Sequence, residues 1–410
     1  MRIFFWSLLL SIVALVVAFV YGGWTALALC LILGVLEVSL SFDNAVINAT
    51  VLERMSEFWQ KIFLTVGIVI AVFGMRLLLP LLIVYVAAGL NPVAAFDLAM
   101  NPPADGAAYF PDAVGNPDLA RPSYETLLTD AHPIIAAFGG MFLLMLFLSY
   151  IFEEREITWL SWLEKPLARI GKLDMLSVII AGGLLVVLTE TLITSEKVIG
   201  GVMTSVGEQR NTVLVAGILG MVLFIAVNGL GQLFESSGED DEEATTQEAA
   251  ADTADEVAAA GGATAVAKKS GGPSKLVKAT GKAGFFLFLY LEVLDASFSF
   301  DGVIGAFAIT SDPIIIALGL GIIGALFVRS LTIFLVRKGT LSEYVYLEHG
   351  AHWAIAALAV ILLISVGGLH VPEVITGLVG VAFIGAALLS SLMRNRKLRA
   401  QGIEPSQVHA

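Results

Sequence analysis

The chain alternates between long apolar runs and short polar segments, and the length of the runs predicts membrane-spanning helices. A helix needs about 20 mostly apolar residues to cross the hydrocarbon core of a bilayer. Ten runs meet this condition. The second, third and seventh are longer than one crossing requires, which predicts tilt or interruption. The predicted spans are residues 3–20, 24–52, 62–90, 132–152, 175–196, 211–234, 283–311, 312–336, 352–369 and 371–393.

The positions of the basic residues predict how these spans are oriented. Cytoplasmic loops of membrane proteins are enriched in Lys and Arg. With a cytoplasmic N-terminus, 18 of the 23 basic residues fall in inner segments, and only Arg121, Lys197 and Arg210 fall in outer loops. The remaining two, Arg76 and Arg329, lie within apolar spans. Both termini are therefore expected in the cytoplasm.

Two polar segments divide the apolar chain. Residues 91–131 form a long outer loop rich in Pro, Asp, Asn and Ala, which is too polar to cross a membrane. Residues 235–282 form an inner linker that is first acidic and then basic, a composition that cannot bury a core and is expected to be disordered. The predicted organisation is a first membrane half at 1–234, the linker at 235–282, a second membrane half at 283–393 and a basic cytoplasmic tail at 394–410.

Composition narrows the class of protein. Hydrophobic residues make up 57 % of the chain and charged residues 14 %, whereas about 25 % of the residues in soluble domains are charged. This excludes a soluble enzyme or globular binding module. The lipid bilayer is the expected environment, and the chain is expected to be a multi-pass protein of the bacterial plasma (inner) membrane. The net charge of −13 argues against nucleic acid as a partner. The single cysteine, Cys30, leaves no internal disulfide or cysteine-based zinc site.

An internal repeat across the linker carries the polar chemistry. Residues 37–44 in the second span read E-V-S-L-S-F-D-N, and residues 295–302 in the seventh read D-A-S-F-S-F-D-G. A lone arginine, Arg76 or Arg329, lies in the span that follows each copy. Because the copies lie five spans apart, they cross the membrane in opposite directions. This predicts an all-α bundle of about ten transmembrane helices arranged as an inverted repeat of five plus five, an architecture typical of secondary transporters.

Four carboxylates in these two motifs lie within apolar spans: Glu37, Asp43, Asp295 and Asp301. Left unpaired at a helix centre, they would cost on the order of 10 kcal/mol, so they must face a cavity, a counter-charge or a bound cation. A structural network with the two intramembrane arginines is the alternative to an ion site. Two arginines, however, leave about two negative charges over.

The donor atoms of the motifs favour a hard divalent cation. Carboxylates, the Asn44 amide and the hydroxyls of the motif serines offer only oxygen ligands, which suit Mn²⁺, Mg²⁺ or Ca²⁺. Neither motif contains Cys or His. Glu37 and Asp43 can face one ion only if the helix unwinds near Ser41 or if the ion lies between polar stripes from both repeats. The supporting serines are Ser39, Ser41, Ser297 and Ser299.

The Glu-x-x-Leu-Ser-x-Asp-Asn pattern at 37–44 and the Phe-Ser-x-Asp pattern at 298–301 resemble the TerC family of integral membrane proteins. That family is associated with tellurite resistance and manganese export and is grouped with the LysE-type exporters. The resemblance covers about 24–90 and 283–338, and the greater length of this chain indicates a divergent branch. It implies a metal site, in which Gly302 departs from the polar residue often found there. The implied metal-coordinating positions are Glu37, Asp43, Asn44, Asp295 and Asp301.

Two further groups of polar residues leave alternatives open. Glu190 in the fifth span is either an additional acid or proton carrier, or a residue near the outer interface in contact with water. His349 and His352 lie beside Glu348 on one helical face at the inner mouth of the ninth span. They either bind a metal or sense pH, or they anchor the helix at the interface, which is the favoured interpretation.

The leading hypothesis for function is a secondary transporter that exports Mn²⁺ against inward proton flow, without an organic cofactor. No enzymatic activity is predicted, because the chain has no nucleophile elbow, Walker motif or H-E-x-x-H sequence. The first alternative is a scaffold in the envelope or tellurite stress response that binds other membrane proteins through its intramembrane charges. A weaker alternative is a LysE-like exporter of small solutes.

Overall fold

A computed structural model describes most of the apolar chain. Residues 101–123 of the predicted outer loop and 230–277 of the predicted linker lie outside the described residues, so the expectations for these segments remain predictions. The structure describes residues 2–78, 81–82, 92–100, 124–155, 157–173, 175–199, 202–229, 278–310, 312–337, 343–369 and 371–403.

Within these ranges the chain folds into helices and one short β-hairpin. The hairpin pairs Lys197–Ile199 with Val202–Thr204 in antiparallel register, and it is a small departure from the predicted all-α class. Its strands contain Val, Ile and Thr, whose branched side chains favour extended backbone. The elements are α1 Arg2–Leu40, α2 Phe42–Glu53, α3 Glu57–Ile62 with its π-helical continuations Phe63–Gly67 and Ile70–Leu78, α4 Pro92–Met100, α5 Tyr124–Ile151, α6 Ser161–Ile170, α7 Leu176–Leu192, β1 Lys197–Ile199, β2 Val202–Thr204, α8 Val206–Gly229, α9 Gly281–Ile309, α10 Pro313–Ile316 with its continuations Ala317–Gly324 (π-helical) and Ala325–Arg337, α11 Leu347–Ser365 and α12 Glu373–Ala400.

Helix length and composition confirm a polytopic helical membrane protein. Six helices of the described residues are long and apolar enough to cross a membrane, or seven when the bent helix α3 is included. They are α1, α5, α8, α10, α11 and α12. At 17 residues, α7 is shorter than a full crossing. Helix α9 has 29 residues, or about 44 Å at 1.5 Å per residue, and it carries the second motif.

The first two predicted spans meet without a polar loop between them. Residues 3–20 and the part of 24–52 up to Leu40 belong to α1, whose backbone is non-helical at Gly22 and Gly23, so that two helical segments meet there at a kink. The rest of the second predicted span forms α2. Gly23 has φ 67° and ψ −151°, a conformation that only glycine adopts readily. The predicted boundary is therefore present as a glycine break, with apolar residues on both sides.

Both ends of the predicted outer loop and the start of the predicted tail are helical. Residues 92–100 form α4, in which Pro92 occupies the first helical position that proline favours. At the other end of the loop, α5 already begins at Tyr124. The last helix, α12, continues to Ala400 and so includes basic residues assigned to the tail.

Helix α5 forms the centre of the bundle. Of its apolar stretch 78 % is buried, against 22 % for α1. It packs against α11, which in turn packs against α12. Its side chains Met141, Phe142, Leu143 and Met145 belong to the largest buried apolar cluster. The second half of the chain therefore wraps around a helix of the first half.

A glycine allows α8 to approach α5 closely. A Cβ on Gly220 would lie 2.2 Å from the carbonyl oxygen of Phe138, a backbone atom that cannot rotate away. We expect Gly220→Ala to force the helices apart and to lower the free energy of unfolding by about 1–3 kcal/mol, measured as thermal unfolding in detergent. Gly183→Ala in α7 is the control, because its Cβ would meet nothing within 4 Å. Equal melting temperatures for the two variants would contradict this packing.

Candidate functional site

Three charged side chains from three helices meet in the interior of the protein. Glu37 lies near the end of α1, Arg76 in the second π-helical segment of α3, and Asp295 in the middle of α9; their exposures are 2 %, 5 % and 6 %. The Arg76 Nη2 atom lies 2.5 Å from Glu37 Oε1. Its Nη1 atom lies 4.0 Å from Asp295 Oδ2. One arginine thus bridges the first acids of the two motif copies.

Polar side chains of both motifs complete this network. Ser41 donates a hydrogen bond to Glu37 Oε1 at 2.7 Å. Asn44 Nδ2 donates to Asp295 Oδ1 at 2.7 Å, and Ser299 donates to Asp295 Oδ2 at 3.4 Å. The bond from Asn44 to Asp295 joins the first motif directly to the second. The ion pair and these three hydrogen bonds define the central network.

The backbone at Ser41 is distorted but not unwound. Helix α1 ends at Leu40, and Ser41 has φ −96° and ψ 15° before α2 begins at Phe42. The hydrogen bonds from Ser41 N to Glu37 O and from Ala45 N to Ser41 O remain, at 2.9 and 3.1 Å. Polar residues of both repeats converge here, but the side chain of Asp43 lies outside the described residues, so how Glu37 and Asp43 face an ion stays a prediction.

Glycines of the second half make room for Glu37. A Cβ on Gly324 would lie 2.0 Å from Glu37 Cγ, and a Cβ on Gly302 would lie 3.1 Å from Glu37 Oε2. Gly302 is the position at which the chain departs from the TerC pattern. Its missing side chain leaves space for a carboxylate from the other half.

A buried acid that we did not single out from the sequence lies next to this network. Glu292 of α9 is 5 % exposed, and neither of its carboxyl oxygens has a hydrogen-bond partner among the described residues. It lines a cavity of about 30 Å³ together with Asp295. Glu292 and Asp295 are three positions apart and so lie on one face of the helix, which is the feature of the sequence that could have identified Glu292. The other lining residues are Asn48, Phe63, Leu64, Gly67, Ile68, Ala71, Arg76, Ala325, Val328, Arg329 and Thr332.

Several predicted site residues are not part of the central network, or their side chains are not described by the structure. The side chains of Ser39, Asp43 and Asp301 lie outside the described residues, although their backbones are helical. Ser297 donates to the carbonyl oxygen of Val293 on its own helix at 3.0 Å.

Two predicted charged residues have partners away from the central network. Arg329 Nε donates to the carbonyl oxygen of Leu64 at 2.7 Å. Glu190 lies on the exposed surface and forms an ion pair with Arg210. Glu190 therefore lies outside the central network, at the surface of the bundle.

The network as described is a closed charge network rather than a formed metal site. No group of three or more His, Cys, Asp or Glu side chains among the described residues is placed to hold a metal ion. Arg76 lies between the two acids, as the structural interpretation of the intramembrane charges expects. Its positive charge occupies the position that a cation between Glu37 and Asp295 would need.

A wide polar cavity lies at one end of the bundle. Its volume is about 790 Å³, and its walls come from α2, α5, α8, α9 and α11. Charged residues line it, among them Glu53, Arg54, Arg155 and Glu348. Helix α2 also carries Asn44 and α9 carries Asp295, so this cavity is lined by helices that contribute to the central network.

The two histidines of α11 pack as structural anchors at the same end of the bundle. His352 stacks on Tyr150 with ring centroids 3.4 Å apart. The guanidinium of Arg155 lies 3.8 Å from the centroid of the same tyrosine ring. His349 Nδ1 lies 3.3 Å from Glu164 Oε2 on α6. Both histidines thereby join α11 to its neighbours.

The electrostatics of Glu164 make this contact sensitive to acid. Burial acts to raise the pKa of the Glu164 carboxyl. The contact with His349 and the hydrogen bonds from the backbone of Leu160 and from Trp353 outweigh burial, so the pKa lies below its ordinary value. The ionised carboxylate is therefore the form that holds α6 against α11.

This lowered pKa predicts a loss of stability in acid. The contribution of Glu164 is fully present above the ordinary glutamate pKa of about 4.3 and is lost as the pH falls through the lowered folded-state value. Below that ordinary value we expect the melting temperature of the wild type to fall more steeply with pH than that of Glu164→Gln. Glu208→Gln, which changes an exposed acid of α8, should follow the wild type. Parallel curves for the wild type and Glu164→Gln would contradict the assignment.

Comparison with known proteins gives one family. Residues 42–398 match the family described as "Protein of unknown function (DUF475)". No curated protein and no solved structure gives a significant match. The matched region begins within the first motif and includes Asn44, Arg76, Glu292 and Asp295. Because it spans most of the chain, the protein belongs to the DUF475 family.

Proposed function

We propose that this protein is a secondary transporter of the bacterial inner membrane that exports a hard divalent cation, with Mn²⁺ preferred, in exchange for protons. The observation that carries the proposal is the direct contact of the two motif copies: Asn44 bonds Asp295, and Arg76 bridges Glu37 and Asp295. Ionisable residues buried within a membrane usually have a function, since their insertion is costly. Here they come from both halves of the chain.

The packing of the motif helices supports an inverted repeat. Helix α1 packs against the π-helical segment Ala317–Gly324 of α10, and the π-helical segment Ile70–Leu78 of α3 packs against α9. Each motif helix thus contacts the arginine-bearing helix of the other half. Such an exchange of partners is what a pseudo-two-fold axis in the membrane plane produces. We infer five plus five spans with both termini in the cytoplasm.

Interruptions of the helices support a mobile site. Helix α3 bends by 48° between its two π-helical segments, and α10 contains a further π-helical segment. Such segments occur often at functional sites, because they loosen the regular ladder of hydrogen bonds. Both lie in the helices that carry the intramembrane arginines. In transporters, broken helices of this kind surround the substrate near the bilayer midplane.

In the proposed cycle Arg76 is an internal substitute for the substrate. With no metal bound, its guanidinium neutralises Glu37 and Asp295, whose charges would otherwise be unpaired. Entry of a divalent cation releases Arg76 from the acids, and its return promotes release of the cation. The oxygen donors of the network suit a hard cation such as Mn²⁺. Asp43, Asp301 and the TerC resemblance extend the same ligand set.

A flux assay with purified protein tests the proposal. The full chain is reconstituted in vesicles, and uptake of Mn²⁺, Mg²⁺, Ca²⁺ and Zn²⁺ is compared with and without a pH gradient. We expect uptake of Mn²⁺ that exceeds that of Zn²⁺ and increases when the gradient is imposed. Absence of flux for every ion, with folded protein in the vesicles, would contradict transport and favour a scaffold function.

The orientation of the chain gives a separate prediction. A reporter inserted after residue 260 should be cytoplasmic, and one inserted near Gly115 should be extracytoplasmic, because 18 of 23 basic residues then lie on the inner side. Enzymatic or fluorescent reporters at both sites measure this in whole cells. Reporters on the same side would overturn the inverted repeat.

A further inference from the structure

Glu292 is the one acid of the cavity beside the central network for which the described structure shows no partner. Both of its carboxyl oxygens are buried without a hydrogen bond, and so is the amide oxygen of Asn48 across the same cavity. Nearly all buried polar atoms in proteins are satisfied. Both residues line the same small cavity, and a donor in that cavity would satisfy them.

The size and lining of the cavity limit what that donor is. A volume of about 30 Å³ is enough for a water molecule. The hydroxyl of Thr332 donates to Val328 O at 2.9 Å, so its hydrogen is already used. Arg76 and Arg329 also line the cavity, and the Nε atom of Arg76 is itself buried without a hydrogen-bond partner in the described structure. The positive charges of the two arginines disfavour a metal cation there.

A glycine seats the Glu292 carboxyl against the bend of α3. A Cβ on Gly67 would lie 2.6 Å from Glu292 Oε1. Gly67 is the last residue of the first π-helical segment, immediately before the 48° bend. The Glu292 carboxyl thus lies beside the point at which α3 changes direction, so a change in its charge acts directly on the bend.

From this geometry we propose that Glu292 is a proton-binding site, distinct from the central network, and that it carries the proton exchanged for metal. A carboxylate buried without partners is costly, whereas a protonated carboxyl is neutral and supplies a donor for Asn48 or for a water in the cavity. The charged groups that face it are Asp295 of its own helix, Arg76 of α3 and Arg329 of α10; α2 contributes the neutral Asn48. The coupling part rests on the proposed transport function, but the proton site does not.

The proton site is tested without any transport. Infrared difference spectra of the full chain in lipid, recorded between neutral and alkaline pH, should contain a carbonyl band from a protonated carboxyl, because ordinary carboxyls are ionised throughout this range. We expect that band to be lost in Glu292→Gln and to shift in Glu292→Asp and Gly67→Ala. Glu190→Gln, which changes an exposed acid, should retain it. A band that persists in Glu292→Gln would overturn the proposal.

Coupling is tested by separating metal binding from flux. Glu292→Gln should bind Mn²⁺ at equilibrium as the wild type does, but its flux should no longer respond to a pH gradient. Loss of Mn²⁺ binding would make Glu292 a metal ligand and overturn the assignment, as would flux that still responds to the gradient. If the wild type moves no metal, the proposed transport fails, while the infrared band still decides whether Glu292 binds a proton.

Discussion

Arg76→Gln should destabilise the protein by about 3–5 kcal/mol, the cost of removing one partner of a buried ion pair. The substitution leaves Glu37 and Asp295 buried without the guanidinium that bridges them, and glutamine supplies no charge in its place. The measurement is unfolding of the purified protein in detergent, followed by helical circular dichroism. Arg210→Gln is the matched control, because Arg210 pairs with the exposed Glu190 and such surface pairs contribute about 0–1 kcal/mol.

The double variant Glu37→Gln/Arg76→Gln separates charge from packing. Part of the lost stability should return, since no unpaired carboxylate remains at position 37, whereas Asp295 still lacks the guanidinium that lies 4.0 Å from it in the wild type. A double variant as unstable as Arg76→Gln would show that the arginine acts through packing, and the closed charge network would be wrong.

Asp295→Asn should nearly abolish cation flux while the protein remains folded. The asparagine retains an oxygen that accepts the bond from Asn44 at the site where Asp295 Oδ1 now does, but it removes the negative charge that attracts a divalent cation. A loss of about 3 kcal/mol of interaction, at about 1.4 kcal/mol per tenfold change, corresponds to a reduction of about 100-fold. Initial rates of Mn²⁺ flux in vesicles of equal protein content measure it.

The matched control for this variant is Glu190→Gln, which also neutralises an acid of an apolar helix. Because Glu190 lies exposed beside Arg210, the Mn²⁺ flux of Glu190→Gln should equal that of the wild type. Wild-type flux in Asp295→Asn would place the transported ion elsewhere.

The central network was predictable because charges in an apolar span must find partners. The repeated motif identified Glu37 and Asp295, and the lone arginines identified Arg76 as a counter-charge. The contact between Asn44 and Asp295 follows from the requirement that both motifs face one site. Its detailed geometry did not follow, because Gly302 and Gly324 shape the pocket for Glu37 from the other half of the chain.

The acid Glu292 was missed because the eight-residue motif alignment pairs Glu37 with Asp295, so that Glu292 lies next to the aligned positions, although Leu-Glu-Val occurs at both 36–38 and 291–293. Its lack of a partner becomes visible only when the neighbouring helices are in place. Glu190 shows the converse, since its partner Arg210 follows twenty residues later, on the next helix. An apolar stretch of sequence does not show whether such a residue lies inside the bundle or at its surface.

Where the structure describes them, the predicted spans are mainly helical, but the helix boundaries differ where backbone conformation decides. Hydropathy separates residues 3–20 from 24–52, and the structure has a kink at the same place, at Gly22 and Gly23. Within 24–52, however, α1 ends at Leu40 and α2 begins at Phe42. The long seventh run gave an expectation of tilt or interruption, yet α9 is continuous. Its motif is identical in kind to the one that is distorted at Ser41, so the sequence of the motif alone does not determine the break.

Equilibrium binding of radioactive Mn²⁺ to the purified full chain tests the central claim most directly. If both halves build one site, the wild type should bind one ion per chain, and Glu37→Gln and Asp295→Asn should each lose it, although they change opposite halves. Glu190→Gln should bind as the wild type does. Retention of binding in either Glu37→Gln or Asp295→Asn, or no binding to the folded wild type, would contradict a shared cation site.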